Sequence, residues 1–182
     1  MRFPFPVVPE KLRLLHDLKG LVPVLTLRPM TAVYLLHGER ILLLHRKGSR
    51  VAEGKWIGAA GGHMEPREIA DPTACVLREM QEELALGPDA LEGLALRYVT
   101  LRRAGTEIRQ NYYFFARLKE EVSLRSNEGT LRWFSLEELE TLEMPFSARY
   151  MMRHYLRTGR YDSMVYAGVA DETTVHFTPM KG

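Results

Sequence analysis

Glu79, Glu82 and Glu83 close the stretch GGHMEPREIADPTACVLREMQEELAL, residues 61 to 86, and carry the densest chemistry in the chain. On a helix, residues three and four apart are neighbours, so these three carboxylates share one side. Like charges so placed weaken an isolated helix by a few tenths of a kcal/mol per pair. No lysine or arginine stands four residues after any of them. Ala74, Cys75, Leu77, Met80 and Leu84 lie on the other side, where inward packing offsets the repulsion. Crowded hard oxygen donors point to a divalent cation, Mg²⁺ first and Mn²⁺ as a substitute. The plainer alternative is a solvated acidic helix face.

The elements that position this stretch are legible on either side of it. Asp71-Pro72 is a helix start, because aspartate accepts from free first-turn amides and proline suits the first helical position. The helix is expected from Pro72 to Leu84 or Leu86, ending near Gly87-Pro88. Upstream, Thr31 to Leu36 and Arg40 to Arg46 form a hairpin signal around His37-Gly38-Glu39, apolar enough for strands buried on both faces. Its second strand ends in the basic run His45-Arg46-Lys47-Gly48-Ser49-Arg50, which suits phosphate. Trp56, just before the glycine-rich loop, reads equally as core or as a base-stacking ring.

Downstream, Arg97 to Arg103 and Ile108 to Leu118 read as a second hairpin turning at Ala104-Gly105-Thr106. Its aromatic later strand packs the sheet, with some rings available to line a nucleobase pocket. A strand over 131 to 134 follows, and then Ser135-Leu-Glu-Glu, a capping box that opens a helix. A last helix is expected from Ser147 to Thr158, with Met151, Met152 and Tyr155 inward and Gly159 as its C-cap. Met164 to Val169 and Thr173 to Thr178 read as a terminal hairpin. Ahead of all this, residues 1 to 28 read as an extension with a short helix over Glu10 to Leu18. It is expected to pack as an arm; a dimer contact or a substrate lid are the alternatives.

Residues 62 to 86 resemble the signature of the Nudix hydrolases, Gly-x5-Glu-x7-Arg-Glu-U-x-Glu-Glu-x-Gly-U, where U is a bulky aliphatic residue. Gly62, Glu68, Arg78, Glu79, Met80, Glu82, Glu83 and Leu86 fill its positions. Two features depart from it: nine residues separate Glu68 from Arg78, and Ala85 replaces the last glycine. The resemblance implies an α/β fold, a mixed β-sheet sandwiched between α-helices, over residues 29 to 182. It implies a metal shell of Glu79, Glu82 and Glu83 with the Gly62 carbonyl, and Glu128 as a further ligand or base. Glu82 and Glu83 would be the core ligands, Glu79 a ligand or base, and Arg78 the residue that orients these carboxylates. Arg46 would face substrate, with Lys47 and Trp56 as further substrate contacts. Glu68 would pair with Arg78 and brace the loop, a task that Glu65 could also take.

The reaction so implied is hydrolysis of a nucleoside diphosphate linked to a second moiety. The runs LHRK, EGKWIG and GGHMEP look like the MutT-like branch, which suggests an 8-oxo-dGTP diphosphatase releasing monophosphate and pyrophosphate. The alternatives are ADP-ribose or a dinucleoside polyphosphate as substrate, or a non-catalytic domain that senses a nucleotide. Composition sets outer bounds. With a net charge of +2, no bulk electrostatic argument favours duplex nucleic acid or an anionic membrane. The single cysteine, Cys75, excludes an intrachain disulfide and is read as a packing residue. No apolar run reaches the ~18 residues of a membrane span, and prolines interrupt the apolar N-terminus where a signal peptide needs continuity. A cytoplasmic protein acting on a small nucleotide is expected, with a homodimer as the one protein partner considered.

Overall fold

In the computed structural model, which describes residues 24–48, 54–121 and 123–181, one mixed sheet separates two helices. Its strands are β1 (Thr26–His37), β2 (Arg40–Arg46), β3 (Trp56–Gly58), β4 (Leu91–Ala104), β5 (Glu107–Leu118), β6 (Gly129–Ser135), β7 (Val165–Ala170) and β8 (Val175–Met180). The helices are α1 (Pro72–Leu84) and α2 (Phe146–Arg157). The order across the sheet is β3-β2-β1-β5-β4-β7-β8, with β6 also pairing β2. β1 runs parallel to β5, and β4 parallel to β7; the other pairings are antiparallel.

β1 divides the core because successive side chains of a strand point to opposite faces. Val33 and Leu35 join Phe114, Val76, Met80 and Leu84 under α1. Tyr34 and Leu36 join Phe115, Met151, Met152 and Tyr155 under α2. The result is the expected α/β/α sandwich, with α1, α2 and the terminal hairpin within two residues of their sequence-based bounds, while β1 and β4 begin five and six residues earlier than expected, at Thr26 and Leu91. β1 pairs with β2 only over residues 35–37; further back its edge is taken by the glycine-rich loop, through bridges Val33↔Ala60 and Met30↔His63. That opening between β1 and β2 lets the loop after β3 enter the sheet.

Several expectations are corrected. The inward side of α1 is Cys75, Val76, Met80 and Leu84; Ala74 is exposed and Leu77 only half-buried. Ser135-Leu-Glu-Glu opens no α-helix. Glu138 does accept from the Ser135 amide at 2.8 Å, but the chain makes only a 3₁₀ turn, Glu138–Thr141. The Glu143 carbonyl then accepts from the Trp56 amide, and Pro145 disfavours helix in the residue before it. Gly159 is not a left-handed cap either. It begins a 3₁₀ turn where a Cβ would run into the Tyr98 hydroxyl, so the position demands close approach. The expected helix over Glu10 to Leu18, and Arg50, lie outside the described residues.

α1 ends in the left-handed residue Ala85, at φ 53°, whose amide donates to Gln81 while the Leu86 amide reaches Met80. A non-glycine residue in this conformation costs roughly 1–2 kcal/mol, so the signature's missing glycine is felt as strain at the helix cap. Ala85→Gly is expected to stabilise the fold by about 0.5–1 kcal/mol, once the extra chain entropy of glycine is subtracted. Urea unfolding reads this directly, and an unchanged or lower midpoint would refute it.

Candidate functional site

Arg78 projects from the middle of α1 into a set of oxygens. Its Nε and one terminal nitrogen hold both oxygens of Glu68, at 2.7 and 3.0 Å. Its other terminal nitrogen donates to Glu79 at 2.9 Å and to Glu82 at 3.0 Å, and the His63 carbonyl accepts at 3.2 Å. The cationic partner of Glu82 is therefore the residue four before it, not four after. Glu68 is the brace; Glu65 pairs instead with exposed Arg67. The two extra residues do not spoil this, because they are absorbed ahead of a new helix start. Glu68 sits in a 3₁₀ turn, Pro66–Glu68, the Asp71 amide donates back to its carbonyl at 2.7 Å, and Asp71 then caps Ala74 at 3.0 Å.

Glu83 and Glu79 point to the glycine pair. The Gly61 amide donates to Glu83 at 3.1 Å, and a Cβ on Gly62 would strike the Glu79 carboxylate. The Gly62 carbonyl already accepts from the Thr31 amide at 2.9 Å, which leaves one lone pair free. Arg46, at the end of β2, bridges Glu83 at 3.7 Å and Glu128, which it contacts directly. Glu128 is held beside β2 by its carbonyl, which accepts from the Lys47 amide. Glu82 stands farther out, with its side chain 58% exposed, against 12% for Glu79 and 10% for Glu83.

Burial, with neighbouring Glu79, pushes Glu83 up to about 7, and burial also raises Glu79. These are groups that a cation would return to the charged form. Among the described residues, no three acidic, histidine or cysteine side chains already converge on one point. Arg78 bridges one pair of carboxylates and Arg46 another. The donor set itself fits a hard divalent ion: oxygens only, mutually repelling, beside a backbone carbonyl.

Next to this cluster lies a cavity of about 250 Å³ on the α2 face of the sheet. Arg46, Gly61 and Gly62 form one wall, and the same three residues meet Glu83, Glu128 and Glu79. Asn111 and Tyr113 of β5 line it, as do Arg28, Arg102 and Arg109, none of which was singled out from the sequence. Of the β5 rings Tyr113 lines it, while Phe114 and Phe115 pack in the two halves of the core. Trp56 and Lys47 are not on its wall. Trp56 packs edge-to-face on Phe134 at 4.6 Å and against His45 at 4.8 Å, and Lys47 is exposed.

The Glu68–Arg78 pair gives a pH signature. Hydrogen bonding to Arg78 holds Glu68 down at about 2. A depressed carboxylate contributes stability that is present above its unfolded value near 4.5 and is lost as pH falls through the folded one. Glu68→Gln is expected to cost on the order of 3 kcal/mol at pH 7, where it breaks a largely buried pair. The gap between wild type and variant should shrink between pH 4.5 and about 2. Thermal denaturation across that range, without metal, measures it; a pH-independent gap would mean that the pair is not what stabilises the loop.

A family model described as NUDIX domain matches residues 26–155. Solved structures share the fold. The MutT protein of Bacillus halodurans aligns at 20% identity and a TM-score of 0.56, over 84% of this chain and 97% of that one. A NUDIX hydrolase of Nitrosomonas europaea gives 16% and 0.62, over 81% and 80%. An Ap4A hydrolase of C. elegans gives 18% and 0.57, over 72% and 95%. With the match spanning most of its length, and with the signature's arginine and glutamates assembled on α1 beside a cavity, the chain belongs to the NUDIX family, whose general reaction is hydrolysis of a diphosphate linkage.

Proposed function

We propose that this protein is a Mg²⁺-dependent hydrolase of nucleoside diphosphate derivatives. The observation that carries the reading is Arg46, which lines the cavity while pairing with Glu83 and Glu128. A substrate whose organic part fills the cavity must present its phosphates to that guanidinium and to the carboxylates beyond it. Glu79, Glu82 and Glu83 would hold the cation with the Gly62 carbonyl, and Glu128 would complete the shell or act as base. The bound ion would neutralise the bridging phosphate oxygens and lower the pKa of the attacking water.

The chain's own residues do the rest. Arg78 is a positioning residue: its donors are spent on Glu68, Glu79, Glu82 and the His63 carbonyl, which leaves it to set carboxylate directions. Arg46 can release its carboxylates to a cation and turn to a phosphate oxygen, for which a guanidinium is well shaped. Substrate follows from the MutT-like runs: a nucleoside triphosphate pyrophosphohydrolase acting on oxidised nucleotides such as 8-oxo-dGTP. ADP-ribose and dinucleoside polyphosphates are the second reading, and the shared fold with the Ap4A hydrolase puts the latter in any substrate panel. Among the described residues no helix is long and apolar enough to cross a membrane, and we place the protein in the cytoplasm; the domain takes in residues 26 to 28, which belong to β1.

Glu82→Gln is expected to lower kcat by at least ~10²-fold, about 2.7 kcal/mol of transition-state stabilisation. Chromatographic measurement of the nucleotide products, with and without Mg²⁺, reads it across 8-oxo-dGTP, dGTP, ADP-ribose and a dinucleoside tetraphosphate. An unchanged rate in the variant, or full activity in chelator, would exclude the metal assignment.

A further inference from the structure

Three arginines lie side by side across three adjacent strands. Arg28 of β1 is in register with Arg109 of β5, and Arg109 with Arg102 of β4. All three line the same cavity. Like charges directly opposite one another on a sheet destabilise it, and here three are stacked with little to offset them. Among the described residues one carboxylate, Glu107, serves two of the three, at 3.6 Å from Arg28 and 3.4 Å from Arg109. Arg102 pairs with no described acid; its guanidinium lies over the Phe146 ring at 4.2 Å. Arg28 is further fixed by the His63 ring, which accepts from it at 2.7 Å. A net charge of only +2 over the whole chain makes this row a local concentration rather than general basicity.

The rows behind it are of another character. Moving along the strands into the cavity, the next register row on this face is Met30, Asn111 and Thr100, and the next is Ala32, Tyr113 and Tyr98. Of these rows Met30, Ala32, Asn111 and Tyr113 line the cavity, so its floor is mostly uncharged with a cationic edge, beside Gly61 and Gly62 on its wall. The Thr31 amide binds the Gly62 carbonyl, so the arginine row begins three residues along β1 from the glycine pair. At a rise of ~3.3 Å per residue that is about 10 Å, a span that one sugar or nucleoside unit, or a short phosphate chain, bridges.

We propose that Arg28, Arg109 and Arg102 form a subsite for a further phosphate group on the substrate, beyond the two phosphates of the scissile linkage. This rests on the reading of the carboxylate cluster as the diphosphate-hydrolysing end. The extra phosphate can come from a longer polyphosphate chain or from a phosphomonoester on the sugar; the subsite chemistry is the same. Guanidinium groups in a row offer several donors to one phosphate, and the anion relieves their repulsion.

Calorimetric binding without metal separates the sources, with ADP as the reference. ATP adds one phosphate to the chain; adenosine 2′-phosphate 5′-diphosphate and its 3′-phosphate isomer add one to the sugar. At least one of the three is expected to bind ten-fold or more tightly than ADP, and added salt should weaken that advantage. Arg109→Gln and Arg102→Gln, each checked for folding by thermal denaturation, should bring the ratio to ADP close to one, and Arg109→Lys should keep part of it. Equal affinities across the panel in the wild-type protein overturn the proposal without any variant, and so does a ratio unchanged in both glutamine variants. A clear preference with no Mg²⁺-dependent hydrolysis of 8-oxo-dGTP, dGTP, ADP-ribose or a dinucleoside tetraphosphate sinks the hydrolase reading alone. Hydrolysis without the preference sinks this subsite alone.

Discussion

The site is organised by a single guanidinium that is not positioned to touch substrate. Arg78 binds Glu68 in a bidentate pair, reaches Glu79 and Glu82, and takes in the His63 carbonyl. Lysine could not replace this, because a point charge lacks the planar fork that fixes three carboxylates and a carbonyl at once. The pairing also explains why a helix with three crowded glutamates is tolerable. Two of them share Arg78, the third accepts from Gly61 and faces Arg46, and Cys75, Val76, Met80 and Leu84 anchor the opposite side. The helix is held by its buried face, and its acidic face is left free to be used.

β1 carries the other constraint. Its alternation gives one set of side chains to the core beneath α1 and the other to the face of α2. The carboxylates come from α1, whereas the cavity lies on the α2 face. They can meet only where the sheet is interrupted, and that is where β1 leaves β2 and the glycine pair replaces it. Side chains at 61 and 62 would close this passage: a Cβ at Gly61 would meet the backbone of β1, and one at Gly62 the Glu79 carboxylate. Arg46, at the far lip, spans the same gap.

What could be read in the sequence divides along the same line. α1, its Asp71 cap and the three hairpins depend on contacts near in sequence, and these were legible; the Arg78–Glu68 brace was only implied by the resemblance, with Glu65 as the alternative. The cavity was not, because it depends on the parallel pairing of β1 with β5, segments some seventy residues apart that no local pattern ties together. Arg109, Asn111 and Tyr113 do alternate along β5, which announces one face of a strand; nothing in the chain says that Arg28 lies beside it. Trp56, which read equally as core or as a base-stacking ring, is a case that only distant contacts decide. Phe134 and His45, one of them far along the chain, fix it in the packing.

The two-residue insertion in the signature shows which distances the site preserves and which it does not. Sequence spacing from Glu68 to Arg78 differs from the pattern, yet the side chains meet in bidentate geometry. A helix that starts afresh at its own cap is insensitive to the length of chain before it, provided the preceding turn closes on itself. Here the Glu68 carbonyl accepts from Asp71 and the Glu68 side chain accepts from the Glu65 amide, so the turn is sealed at both ends. From Arg78 to Glu83 no such freedom exists, because each residue turns the next by about 100° and one insertion would move a carboxylate off the shared side. The signature is therefore strict where helical geometry transmits position and lenient where a salt bridge restores it.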